Sequence, residues 1–180
     1  MSRCILQKIS RIKKNLDTKS FKTLIHALVM SKLDCNNGLL QGLPKKSLAP
    51  MQREQNSAAR FITGTKRSEH ITPVLKDLHW LPVNRRIDLK IICLTHKALN
   101  TGAPEYLASL LKPHSGIRVT RRSTRNMLLV PRPKTGFGTR SFQAAAARLW
   151  NTLPDTLKDN KDTLSFRKGL KTWLFTIKSA

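Results

Sequence analysis

A chain of 180 residues is long enough for one domain, or one and a fragment, with a real core. Its 34 Lys and Arg against 10 Asp and Glu leave a net charge of +24, so it repels itself unless a polyanion or salt relieves it. That balance makes nucleic acid the leading partner class and an anionic membrane surface the second. Cys4, Cys35 and Cys93 are odd in number and far apart, with no zinc-ligand spacing, which argues against a disulfide framework or a metal site.

The start, MSRCILQKIS, has no secretory apolar region, so a nuclear or cytoplasmic location is expected. Ile5, Ile9, Ile12 and Leu16 share one helical face, which predicts a first helix over Ser2–Leu16 with Arg3, Lys8, Arg11, Lys13 and Lys14 mostly off that face. Asp17 or Thr18 can cap a second helix, with Phe21, Leu24, Ile25, Leu28 and Leu33 inward. Its apolar run Leu24–Met30, the longest in the chain, is broken by His26 and too short to span a bilayer. Asn36-Asn37-Gly38 and Gly42-Leu43-Pro44 read as breaks. A third helix is expected over Leu48–Ile62, with Leu48, Met51, Gln55, Ala58, Ala59 and Ile62 inward and Gly64 ending it.

The stretch His70–Ile87 organises the rest. Thr72-Pro73 reads as an N-cap with proline at the first helical position. Leu81 precedes Pro82 and is pushed out of the α region, so the short helix must stop and the chain bend, with Trp80 in the corner. A long apolar helix over Asn84–Asn100 follows, with Ile87, Ile91, Leu94 and Ala98 on one face and Leu89, Ile92 and Leu99 beside it. A brief helix runs from Ala103-Pro104 to Leu111.

From Glu105 to Asp155 no acidic residue intervenes, while prolines and glycines recur. A short strand fits Met127–Val130, and the rest of that stretch reads as loop until order returns at Phe142–Leu153 and Thr163–Ile177. In the last helix Phe166, Leu170, Trp173, Leu174 and Ile177 face inward, and Asp162 or Thr163 can cap it. The expected fold is mainly α: a bundle of six to eight helices, with an Arg-rich loop segment before the last two. The expected division is 1–112, 113–141 and 142–180.

Four ordered blocks also carry a resemblance. SKLDCNNGLLQGLP (Ser31–Pro44), QNSAAR (Gln55–Arg60) with HITPVLKDLHWLP (His70–Pro82) and RI-x-x-K (Arg86–Lys90), SFQAAAARLWNTLP (Ser141–Pro154) and FRKGLKTWLF (Phe166–Phe175) are the stretches concerned. Together they resemble the region after the polymerase palm in reverse transcriptases of jockey-like, non-LTR (LINE-type) retrotransposons. The chain departs from that pattern where a tyrosine is missing after Asp34, where Ala147 replaces a proline, and where Glu54 replaces an apolar residue. The resemblance implies a helical thumb and following segment that grips a template–primer duplex, without a catalytic group of its own.

The residues agree that chemistry is not this chain's task. Reverse transcription needs neighbouring carboxylates to hold two metal ions, and the acidic residues here stand singly. Gly136-Phe137-Gly138 lacks the spacing and lysine of a phosphate-binding loop. His79 and His96 read as hydrogen-bonded residues at the core edge, and Trp80, Trp150 and Trp173 as core packing amid leucines. No cofactor, metal or small-molecule substrate is expected. The candidate nucleic-acid contacts are Arg85, Arg86, Lys90 and Lys97 on the long helix, and Arg118, Arg121, Arg122, Arg125, Arg132, Lys134 and Arg140 in the basic segment. The basic side of the first helix is a third candidate. DNA, RNA and a hybrid all fit such backbone contacts. Rival readings are a ribosomal-type RNA-binding structural protein, a basic amphipathic binder of membranes or partner helices, and the product of a decayed element with no cellular task.

Overall fold

A computed structural model describes residues 9, 11, 16–114 and 126–177. Within them the protein is mainly helical, as expected. It forms two compact units, Met1–Arg86 and Ile87–Ala180. The boundary between them falls inside the long helix. Within the second unit the last helix packs its Phe166 ring on His96 of the long helix.

The first unit starts with the predicted Ser2–Leu16 segment, which lies outside the described residues except for Ile9, Arg11 and Leu16. Ile9 is buried in the core and Leu16 packs against it. Asp17 then caps α1 (Thr18–Ile25), its carboxylate accepting from the Lys19 and Ser20 amides at 3.0 and 3.1 Å. The Ser20 contacts, more than anything else, hold that carboxyl below its ordinary range.

A π-helical turn, His26–Met30, joins α1 directly to α2 (Ser31–Asp34). This turn corrects one expectation. A regular α-helix of about 3.6 residues per turn would bring Leu28 inward, but the wider π turn rotates the following residues. Phe21, Ile25, Val29 and Leu33 instead share the buried stripe, while Leu28 is exposed.

Asn36 takes a left-handed conformation (φ 53°) at the predicted break. α3 runs Lys45–Thr63, starting earlier than expected and carrying Pro50 inside it. Its buried residues, Gln55, Ala58 and Ala59, were all foreseen. The small Ala58 and Ala59 side chains sit in one core with Phe21, Ile25, Leu75 and Trp80.

α4 (Ile71–Asp77) is capped by His70, whose Nδ1 accepts from Thr72 N at 3.4 Å, not by Thr72 as the sequence suggested. Pro73 still falls in the first turn, where a missing N–H costs nothing. The helix ends before the proline corner is reached. His79 is left-handed (φ 53°), its amide donates to Lys76 O at 2.8 Å, and Trp80 N donates to Leu75 O at 2.8 Å. That pair of bonds is the Schellman arrangement, with histidine where glycine is usual. Trp80 and Leu75 are buried in the same core, the apolar contact that accompanies this motif. His79 itself is exposed rather than at the core edge.

The corner Leu81-Pro82-Val83 is held by two glutamines of α3. Gln55 Nε2 donates to Leu81 O at 2.8 Å, and Val83 N donates to Gln52 Oε1 at 2.9 Å. Gln52 Nε2 in turn donates to Gln55 Oε1 at 3.0 Å, which fixes both amides. Val83 is the first residue of α5 (Val83–Thr101), so Gln52 caps a helix from 31 residues away in sequence.

In the second unit α5 buries Ile87, Ile91, Ile92, Thr95, His96 and Ala98. Leu99 is exposed, against expectation, and Thr95 and His96 take the buried positions. Thr95 can do so because its hydroxyl donates to Ile91 O at 2.9 Å. α6 (Glu105–Ala108) is brief. The expected strand at Met127–Val130 reduces to one antiparallel bridge, Pro113 with Leu128. Pro131 has no N–H, so the next bond of the ladder beyond Leu129, from residue 131, has no donor. α7 (Gly136–Arg140) is a short helix where loop was expected. α8 (Phe142–Asn151), α9 (Asp155–Lys158) and α10 (Thr163–Thr176) follow, α8 capped by Ser141 and α10 by Asp162. Phe166, Leu170 and Leu174 of α10 are buried as predicted. Gly169 lets Leu157 approach, since a Cβ there would meet Leu157 Cδ2 at 2.9 Å.

Candidate nucleic-acid interface

The residues proposed on α5 divide by what they touch. Arg86 points its fork at Asp34: Nε donates to Oδ1 at 2.7 Å and Nη2 to Oδ2. Its side chain is only 14% exposed. Asp34 also accepts from Asn37 Nδ2 at 3.3 Å, so Arg86 belongs to the packing of the first unit before it belongs to any ligand. Arg85 is half buried, and its amide donates to Asn84 Oδ1 at 2.9 Å.

Lys90 and Lys97, in the second unit, are exposed. Cys93 lies beside Lys90, and Arg167 of α10 adds a second positive charge there. Burial pushes the Cys93 thiol up, and the two cations offset this only in part. Arg167, which the sequence reading did not single out, therefore shares a neighbourhood with Lys90. The signal was faint, because Arg167 falls between Phe166 and Lys168 on a helix read chiefly for its apolar face.

In the basic segment, Arg118, Arg121, Arg122 and Arg125 lie outside the described residues. Just beyond them the chain is firmly docked. Trp150 Nε1 donates to Asn126 O at 2.9 Å. Asn151 accepts from Leu128 N at 2.8 Å through Oδ1 and donates to Leu128 O at 2.8 Å through Nδ2. One side-chain amide thus satisfies both backbone groups of Leu128, as a neighbouring strand would. Lys158 is buried over the same stretch, its Nζ 3.3 Å from Asp155 Oδ1 and 3.7 Å from the Met127 sulfur.

Arg132 and Lys134 are exposed. Thr135 Oγ1 accepts from Gly138 N at 3.1 Å. A Cβ on Gly138 would lie 2.5 Å from Pro133 Cβ, so only glycine lets this turn close on the proline ring. The Arg140 guanidinium stands 4.9 Å from the centroid of the Phe137 ring, and its Nε donates to Gly136 O at 3.2 Å. Arg148 of α8 reaches back, Nη2 donating to Thr139 O. Arg140 and Arg148 thus bond to this turn, and Arg132 and Lys134 flank in sequence the Pro133 on which it closes.

The remaining candidates are occupied by packing. His96 is fully buried and stacked on Phe166, ring centroids 3.8 Å apart at 12°. Asn160 O accepts from its Nε2 at 2.7 Å, with the Asn100 amide 2.8 Å from the same nitrogen. Trp80 and Trp150 are buried, and Trp173 is half buried. Among the described residues no group of three or more His, Cys, Asp or Glu is placed to hold a metal ion. No helix among them is long and apolar enough to cross a membrane. Comparison with family models, curated proteins and solved structures finds no match to this chain.

Proposed function

We propose that the chain is the non-catalytic segment after the palm of a LINE-type reverse transcriptase, and that it holds the backbone of template and primer without reading sequence. The observation that carries this reading is a +24 charge on a helical scaffold whose acids stand singly. The four-block resemblance supplies the polymerase context. Lys90, Lys97, Arg132 and Lys134 are exposed and suit phosphate contact, whereas Arg86 serves chiefly as a partner of Asp34. Such cations displace condensed counterions from the nucleic acid, so affinity comes from ion release and falls steeply with salt.

The test is a salt titration of binding to a duplex. If roughly six phosphates are neutralised, log K against log salt should fall with a slope of about −5. A flat slope, or no retention on duplex in dilute buffer, would sink the reading. The genomic sequence just upstream tests the origin separately: a palm-coding region with an Asp-Asp hairpin is expected there.

A further inference from the structure

Phe137 is 83% exposed, an unusual position for a phenyl ring on a docked turn. Its neighbours leave it open to approach. A Cβ on Gly136 would meet nothing within 4 Å, so neither packing nor a positive φ demands glycine there. On the other side Gly138 is required by the Pro133 contact, and it too carries no side chain over the ring. The turn is held in place from three directions, by the Thr135 cap, by Pro133 and by Arg148 on Thr139 O. Arg140 stands against the ring at 4.9 Å, fixed by its bond to Gly136 O.

We propose that Phe137 and Arg140 form a stacking site for an unpaired nucleobase, with Arg132, Lys134 and Arg148 holding the adjoining phosphates. The inference rests on the nucleic-acid reading above and deepens it, since backbone contact alone makes no distinction between paired and unpaired strands. A π-face flanked by cations is what single-strand binders use, because every base has a π-face and sequence is not consulted. An arginine already against the ring adds cation–π attraction to the same base. A protein partner would favour a contiguous apolar patch; here Arg140 stands against the ring, and no acidic residue lies in sequence between Glu105 and Asp155.

The experiment uses the full chain and three fluorescent probes: a single-stranded oligonucleotide, its duplex, and an abasic strand with as many phosphates as the single strand. Phe137→Ala should weaken binding of the single strand about tenfold while leaving the duplex nearly unchanged. Phe137→Trp should retain the single-strand affinity. The abasic strand should bind the unaltered protein as weakly as the ordinary strand binds Phe137→Ala. Equal affinity of both proteins for the single strand, or equal affinity of the unaltered protein for abasic and ordinary strands, overturns the stacking site even if duplex binding persists. Failure to bind any of the three probes overturns the nucleic-acid reading as well.

Discussion

Pro82 has no N–H, and its carbonyl accepts from the Arg86 amide at 2.9 Å, while the Leu81 carbonyl and the Val83 amide on either side need partners from elsewhere. Leu81 is 2% exposed and water does not reach it, which leaves Gln55 and Gln52 to supply the partners. Gln55→Leu keeps the volume and removes the donor. It should cost about 2 kcal/mol in urea unfolding, the penalty of a buried carbonyl left without a partner. Gln55→Glu should cost more, because a carboxylate would face that carbonyl with no proton to give. Stability equal to that of the unaltered chain in both variants would mean that water, not Gln55, serves Leu81. At this scale the sequence was partly legible. Gln55 falls on the apolar stripe of α3 and was placed inward from spacing alone. What it bonds was not legible, since Leu81 is 26 residues away and only folding brings the two together. His79 was misread for a related reason: a left-handed residue is set by how a helix ends, and histidine carries no warning of it.

Helix ends and packing faces follow from local sequence until a neighbour overrides them. Asp17, Ser141 and Asp162 cap their helices as side chains of that type do. The π turn at His26–Met30 is the counter-example. It keeps a stripe at every fourth residue facing one core, where an ordinary helix would drift and carry Leu28 inward. The stretch Asn126–Leu128 likewise depends on a distant side chain rather than on strand propensity. Asn151→Ala should remove both Leu128 bonds, speed hydrogen exchange at the Leu128 amide, and cost about 1–2 kcal/mol of stability. An unchanged exchange rate there would show that the Trp150 bond to Asn126 O alone anchors the segment.

Over the molecule as a whole, charge governs two effects of opposite sign. With 34 basic against 10 acidic residues, self-repulsion works against compactness and is screened by salt. Raising salt from about 50 to about 200 mM should therefore raise the Tm of the isolated protein by about 2–4 °C, the shift expected for about 1 kcal/mol in a chain of this size. On the proposed function, the same change should weaken binding to a duplex through counterion release. A Tm that falls with salt would mean that pairs such as Arg86–Asp34 contribute more than repulsion removes.

Net charge, helical class and most buried apolar positions were determined by the sequence itself, because they depend on residue type and on spacing within single helices. The tertiary structure decided which cations remain outward and which, like Arg86, are committed inward. It also decided where the two units part, and that Phe137 stands open beside Arg140. These are relations between residues or surfaces brought together only by folding, and no periodicity in one segment encodes them.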